Sequence, residues 1–273
     1  MNDSKSEVQE FWDRASCGEE LYLPHRTVNG YADQADQRYE LEPYIVPFAD
    51  FDRWKGKQVL EIGVGLGADH QRFAEAGAKL SGIDLTEQAI RHTTLRFKLY
   101  GLRSQLRTGD AEQLDFSDNR FDLVYSWGVI HHSPNTKLAA TEIMRVLRPG
   151  GHFKVMIYNK HSIIGFMLWL RYGLLSGQPF RSLDDLYANH LESPGTKAYT
   201  KKEAVQLFVG SEKLRIVTML THGDLLEGKA GQRHHGMALT FARIIWPRRL
   251  IRFLFPGAGL FMLISGHKPL EQS

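Results

Sequence analysis

The stretch Gln58-Val59-Leu60-Glu61-Ile62-Gly63-Val64-Gly65-Leu66-Gly67-Ala68 decides how the rest of the chain reads. Val59, Leu60 and Ile62 form a short apolar run of the kind that builds a buried strand. Glycine then occupies positions 63, 65 and 67, and Phe73, Ala74 and Ala76 recur among polar residues before Gly77. That pattern is a strand, a tight loop and a helix. Glycine at alternate positions permits positive φ and removes side chains that would hold a ligand away from the main chain. A flat or extended ligand can therefore lie directly on the backbone. The spacing nearly satisfies the dinucleotide fingerprint, with Ala68 in place of the last glycine. The acid at Glu61 speaks against a pyrophosphate at the strand end.

Outward from this loop, the chain alternates strands and helices. Residues 79–83 read as a second strand ending at Asp84, with Thr86 capping a helix that stops at Gly101. Asp84 follows the glycines by about twenty residues, where an acid can accept from both hydroxyls of a ribose. A third strand ends at Gly109-Asp110, placing Asp110 to accept from the exocyclic amine of a base, with the Ala111 amide beside it. Residues 121–126 form a fourth strand that opens into Trp127-Gly128-Val129-Ile130-His131-His132. Ser133 and Pro134 are expected to start the next helix, and residues 153–158 to form a fifth strand. This alternation implies a parallel sheet covered on both faces.

Five segments together carry a resemblance: 59–67, Gly-Ile-Asp-Leu at 82–85, Gly-Asp-Ala at 109–111, Phe-Asp-Leu-Val-Tyr-Ser at 121–126, and Arg-Val-Leu-Arg-Pro-Gly-Gly at 145–151. In order and spacing they resemble the class I S-adenosylmethionine-dependent methyltransferases over roughly residues 55–160. The resemblance implies a Rossmann-like α/β fold with a seven-stranded, mostly parallel sheet, helices on both faces and an antiparallel last strand. It implies that the glycine loop holds the methionine end of S-adenosyl-L-methionine, Asp84 the ribose, and Asp110 with Ala111 the adenine. The candidate cofactor contacts are thus Glu61, Gly63, Gly65, Gly67, Asp84, Leu85, Asp110, Ala111 and Ser126. No Asn-Pro-Pro-Tyr-like motif follows strand four, which argues against the branch that methylates exocyclic amines of bases.

Residues 1–50 are expected to form a helical lid carrying Tyr22, Tyr31 and Tyr39, with Val8, Phe11 and Trp12 on one helix face and a second helix over 39–48. The methyltransferase domain then runs over 51–273, with insertions at about 159–199 and 221–256. The first holds an apolar helix over 163–170, read as a core or dimer helix or as a cap on the acceptor pocket. Thr200 and Glu203 form a capping box. Residues 213–220 and 259–265 read as the last strands. The basic-apolar stretch 244–256 is expected to pack on the domain with solvated arginines; contact with a membrane surface or an acidic partner is the alternative.

Methyl transfer from a sulfonium needs alignment more than activation, and a base only where the acceptor carries its proton. Candidate catalytic residues at strand ends are His131, His132, His161 and His222, with Tyr158 and Asp224 beside them. His234 and His235 are adjacent and lack metal-ligand spacing, so no metal is expected. A formal charge of +3 on 273 residues gives little support for nucleic acid. The single cysteine, Cys17, fits a reducing compartment. No secretory signal or membrane-length apolar run is visible, so a cytoplasmic enzyme is expected, a homodimer being possible. The function read is methyl transfer to an oxygen or nitrogen of a small organic acceptor with apolar parts. The alternatives are an RNA or protein methyltransferase and a non-catalytic nucleotide-binding module.

Overall fold

In the computed structural model, which describes residues 3–227 and 246–270, one twisted sheet organises the chain. The strands are β1 Gln58–Ile62, β2 Lys79–Asp84, β3 Gln105–Thr108, β4 Phe121–Trp127, β5 Leu147–Asn159, β6 Ala198–Tyr199, β7 Glu212–Met219 and β8 Phe261–His267. Their order is β3-β2-β1-β4-β5-β8-β7, with the two-residue β6 paired alongside β5. Strands β1 to β6 pair in parallel, while β8 runs antiparallel to both β5 and β7. The expected seven strands are thus present, with β6 as a short eighth. The strand order reverses between β1 and β4, and ligands of such sheets bind beyond the strand ends at that reversal.

Alternation along β1 explains the two-sided core. Val59 faces a cluster with Phe73, Trp54, Tyr125 and Ile45, while Leu60 and Ile62 face one with Ile143, Val146 and Phe153. All seven residues of β4 are buried, as a central strand covered on both faces requires. The helices of the first half are α1 Asp3–Arg14, α2 Glu19–Tyr22, α3 Val28–Leu41, α4 Ile45–Ala49, α5 Ala68–Glu75, α6 Glu87–Leu99 and α7 Thr136–Val146. The second half adds α8 Ile163–Trp169, α9 Leu183–His190, α10 Lys201–Leu207 and α11 Arg248–Leu254.

Several boundaries differ from expectation for local reasons. The helix sought over 39–48 is two helices: α3 begins at Val28, capped by the Thr27 hydroxyl, and the chain breaks at Pro43 before α4. Helix α7 is capped by Asn135, whose side chain accepts from the Leu138 amide. Ser133 instead bonds Glu112. Thr86 and the Thr200–Glu203 box cap as expected. Helix α8 continues into a π turn over Leu170–Leu174, and its apolar sequence is only half buried, with Phe166 exposed. The described part of 244–256 meets the rest of the chain through the buried Ile251, the Trp246 indole bonded to the Asp224 carbonyl and Arg248 bonded to the Leu226 carbonyl, while Leu250, Phe253, Leu254 and Phe255 are exposed. His234 and His235 lie outside the described residues.

Candidate active site

The glycine loop is built from the inside. The amides of Gly63 and Val64 both donate to the Ile83 carbonyl, at 2.8 and 3.2 Å, and that of Gly67 donates to the Val64 carbonyl. The Gly65 amide donates to the Asp84 carboxylate at 3.1 Å. The three glycines have separate reasons to be glycine. A β-carbon on Gly63 would lie 2.1 Å from Val129, and one on Gly67 would lie 2.8 Å from the Thr93 hydroxyl. Only Gly65 faces open space, with φ of +51° and nothing within 4 Å of where its β-carbon would stand. Gly65 is therefore the bare surface a ligand can use. The other two serve packing.

Asp84 ends β2 directly beside Gly65. Its Oδ1 accepts from the Thr86 amide at 3.0 Å and the Thr86 hydroxyl at 2.9 Å. Burial pushes its carboxyl upward, opposed by the hydrogen bonds from Thr86 and Gly65. A carboxylate offers roughly four lone-pair sites, so acceptor capacity remains for a ribose hydroxyl. The set suits an adenosyl sulfonium better than a dinucleotide. Four loop amides are already spent on protein carbonyls or on Asp84, and Asp69 stands in the first turn of α5. A phosphate there would find these four amides already engaged.

The remaining expected contacts divide. Asp110 accepts from the Lys5 ammonium at 2.6 Å, and Lys5 also reaches Glu112 at 2.9 Å. Helix α1 thus crosses the ends of β2 and β3, where Gln9 further donates to the Leu85 carbonyl. Ala111 packs partly buried against the core. Glu61 is directed at His70, 2.8 Å away, whose other nitrogen meets the Ser104 hydroxyl. Burial raises the Glu61 carboxyl, with Asp69 pushing the same way, and lowers the His70 imidazole to about 3. Ser126 is fully buried, and its hydroxyl has no hydrogen-bond partner among the described residues.

A second polar network, not foreseen from the sequence, joins α3 to β4. Arg38 grips Asp69 with two bonds of 3.2 and 2.8 Å, and Tyr39 and Tyr125 donate to the same carboxylate at 3.0 and 2.9 Å. Burial would raise Asp69, but Arg38 and these hydrogen bonds leave it below the usual range. Trp127 at the tip of β4 donates to Glu42 at 3.1 Å. Burial raises Glu42 to about 7; Asp69 and Glu192 push the same way, while Arg38 and Trp127 oppose. Behind the loop, the buried Arg96 donates to Gln71, Gln34, the Leu66 carbonyl and the Tyr31 carbonyl, fastening α3 to the glycine loop.

His131 and His132 meet Tyr158 beyond the ends of β4 and β5. The His131 ring lies 4.1 Å from that of Tyr158 and 4.2 Å from that of His132. It is fully buried, and neither nitrogen has a partner among the described residues. Burial, His132 and Lys197 hold it well below its usual range, so it is neutral. His132 Nδ1 lies 2.8 Å from the Ser193 hydroxyl, and its Nε2 3.5 Å from Glu192. Tyr158 donates to Glu192 at 2.7 Å, and burial with that carboxylate holds its hydroxyl far above the ordinary value. The Trp12 ring covers His132 from α1 at 5.5 Å.

His161 is exposed. His222 is half-buried in the turn that opens the second insertion, and no hydrogen bond or ring contact among the described residues joins either histidine to this cluster. Asp224 is structural, since its buried carboxylate accepts from the Ile164, Thr221 and Leu260 amides and so ties both insertions to β8. Among the described residues no group of histidine, cysteine and acidic side chains is arranged for a metal.

Sheet order, loop and strand-end acids define an α/β protein with an open loop surface and an acid beside it at its switch point. Residues 60–155 match the family model described as a methyltransferase domain. They form a methyltransferase domain of the class I, S-adenosylmethionine-dependent family, with S-adenosyl-L-methionine as its cofactor. A fatty-acid O-methyltransferase of Mycolicibacterium smegmatis is 36% identical over 118 residues, 42% of either chain. An uncharacterized protein of Mycobacterium tuberculosis is 31% identical over 152 residues, 54% of this chain and 55% of that one. The chain thus spans about half the length of the curated relatives it matches. Among solved structures, a possible histamine N-methyltransferase of Thermotoga maritima aligns with a TM-score of 0.53 at 17% identity, over 96% of this chain and 99% of that one. The Haemonchus contortus phospholethanolamine N-methyltransferase 2, in complex with S-adenosylhomocysteine, gives 0.58 at 18% identity, over 96% and 60%.

Proposed function

We propose that the chain transfers a methyl group to an oxygen or nitrogen of a small acceptor with apolar parts, bound beyond β4 and β5. One observation carries the reading: His132, Tyr158 and Glu192 converge under Trp12 beyond the ends of β4 and β5, β4 being the neighbour of the strand that carries the glycine loop. The cofactor supplies a methyl group on an activated leaving group. Gly65 offers it bare main chain, and Asp84 with Oδ2 beside the loop would accept from the ribose hydroxyls. Asp110 would reach the adenine amine once Lys5 gives way. Residues 1–50 act here as a cover, with α1 latched by Lys5 and Gln9.

Glu192 is the proton acceptor in this reading. An ionised carboxylate only accepts, so the Tyr158 hydroxyl and His132 Nε2–H both point their protons at it. The Ser193 hydroxyl then donates to His132 Nδ1, fixing the tautomer. His132 positions the carboxylate, and the neutral His131 supports the ring stack and offers an unused nitrogen to the acceptor. The aromatic surroundings favour an acceptor with apolar bulk, and the relative named as a fatty-acid O-methyltransferase supports both oxygen and an apolar acceptor. An acceptor screen with methyl-labelled cofactor over carboxylic acids, alcohols and amines tests this. Glu192→Gln should lower turnover by about a hundredfold, within the usual range for a general base, with S-adenosylhomocysteine affinity unchanged. Label appearing only in RNA or protein would refute the acceptor class.

A further inference from the structure

We infer that a cleft at the N-terminal ends of β1, β2 and β3 binds a small ligand through its phosphate group. The cleft holds about 420 Å³ and lies at the opposite end of the strands from Gly65 and Asp84. Gln58, Lys79 and Gln105, the first residues of the three strands, line it together with Ser81, Arg103 and Arg120. Its origin is topological. Parallel pairing sets Gln58 beside Lys79, and Ser81 between Leu60 and Gln105, so these side chains share the face of the sheet that carries Leu60. The described chain forms no helix between β3 and β4 to cover that corner.

The lining selects an anion. Lys79, Arg103 and Arg120 supply the cations, none of them paired with an acid among the described residues, and no acidic side chain lines the cleft. Arg120 is held in place: its guanidinium lies 4.9 and 5.1 Å from the ring centres of Phe116 and Phe121, and it donates to the Gln105 side chain at 3.2 Å. The guanidinium keeps further N–H donors, whose fork matches two oxygens of a phosphate. Ser81 adds a neutral donor. It is 3% exposed, and its hydroxyl bonds no other described residue, which is costly unless something in the cleft accepts from it. Two nearby arginines are already answered: Arg107, also over Phe116, pairs with Asp115, and Arg148 pairs with Asp122. The basic surface is thereby cut to the scale of a small molecule, and the volume falls in the usual range for such sites, roughly 300–1,000 Å³.

Isothermal titration of the full chain, with saturating S-adenosylhomocysteine present, tests the inference without reading methyl transfer. Pyrophosphate and ribose 5-phosphate are the probes, against acetate at the same ionic strength. At least one phosphate should bind one to one and more tightly than acetate; preference for the first assigns an inorganic ligand, and for the second a phosphate ester. Lys79→Gln combined with Arg103→Gln should weaken that binding by about tenfold or more, and Ser81→Ala by a smaller factor. The double variant should keep the parent's melting temperature and S-adenosylhomocysteine affinity, because both side chains are exposed and stand at the far end of the strands. Absence of binding by both phosphates, equal binding of acetate, or undiminished affinity in the double variant would overturn the inference. So would binding of single-stranded RNA in place of either phosphate.

Discussion

Replacing Arg96 with methionine keeps the aliphatic stem and removes a guanidinium that is 1% exposed. Four acceptors lose their donor: Gln71 at 2.6 Å, Gln34 at 2.8 Å, and the carbonyls of Leu66 and Tyr31 at 3.1 Å each. Hydrogen bonds to a charged group contribute about 1.5–3 kcal/mol each, so the gross loss is about 6–12 kcal/mol. Removing a buried charge returns several kcal/mol of desolvation, leaving a net destabilisation on the order of 3 kcal/mol. At about 2–4 °C per kcal/mol for a chain of this size, the melting temperature should fall by about 6–12 °C. Urea denaturation followed by circular dichroism measures the free-energy change. Because Leu66 lies in the glycine loop and Tyr31 in α3, S-adenosylhomocysteine affinity should fall in the same variant. A stability change below about 1 kcal/mol with unchanged affinity would refute the role given to Arg96.

Local signals made the parallel half of the fold legible. The apolar run before Gly63, the Thr86 cap and the acid at the end of β2 all act within one turn or strand, and the structure places each where its spacing indicates. What escaped was set by contacts distant in sequence. Asp69 reads as an ordinary helix-start acid until α3 brings Arg38 and Tyr39 onto it. Glu192 follows no motif, and only the path of the first insertion carries it back to Tyr158 and His132. Asp224 at a strand end looked chemical, but its carboxylate is consumed by three backbone amides. The three glycines share one pattern, and only their neighbours separate the ligand-facing Gly65 from Gly63 and Gly67.

The two kinds of glycine should separate by assay. Gly65→Val should reduce S-adenosylhomocysteine affinity more than tenfold with a stability loss of about 1–2 kcal/mol from its positive φ, whereas Gly63→Ala should chiefly lower the melting temperature by collision with Val129. Comparable effects of both on both readouts would contradict the assignment. Glu42, raised from 4.5 to about 7 chiefly by burial, carries a stability contribution present in full below pH 4.5 and lost as pH rises through 7. The melting temperature of Glu42→Gln should therefore gain on that of the parent across this window, by the equivalent of about 3 kcal/mol at most; a constant difference would sink the idea. Lys5→Ala removes the ion pair over Asp110, which is partly exposed and contributes no more than about 1 kcal/mol. Stopped-flow association of cofactor should quicken by up to about fivefold, and slower association would count against α1 as a cover.

Everything assigned to this site depends on an adenosyl group lying on Gly65 and held by Asp84. Isothermal titration of S-adenosylhomocysteine into the parent and into Asp84→Asn tests it most directly. Saturable one-to-one binding to the parent is expected, weakened by about 1–3 kcal/mol in the variant, the loss of one charge-assisted partner. Equal affinity in the two proteins, or binding of NAD in place of S-adenosylhomocysteine, would contradict it.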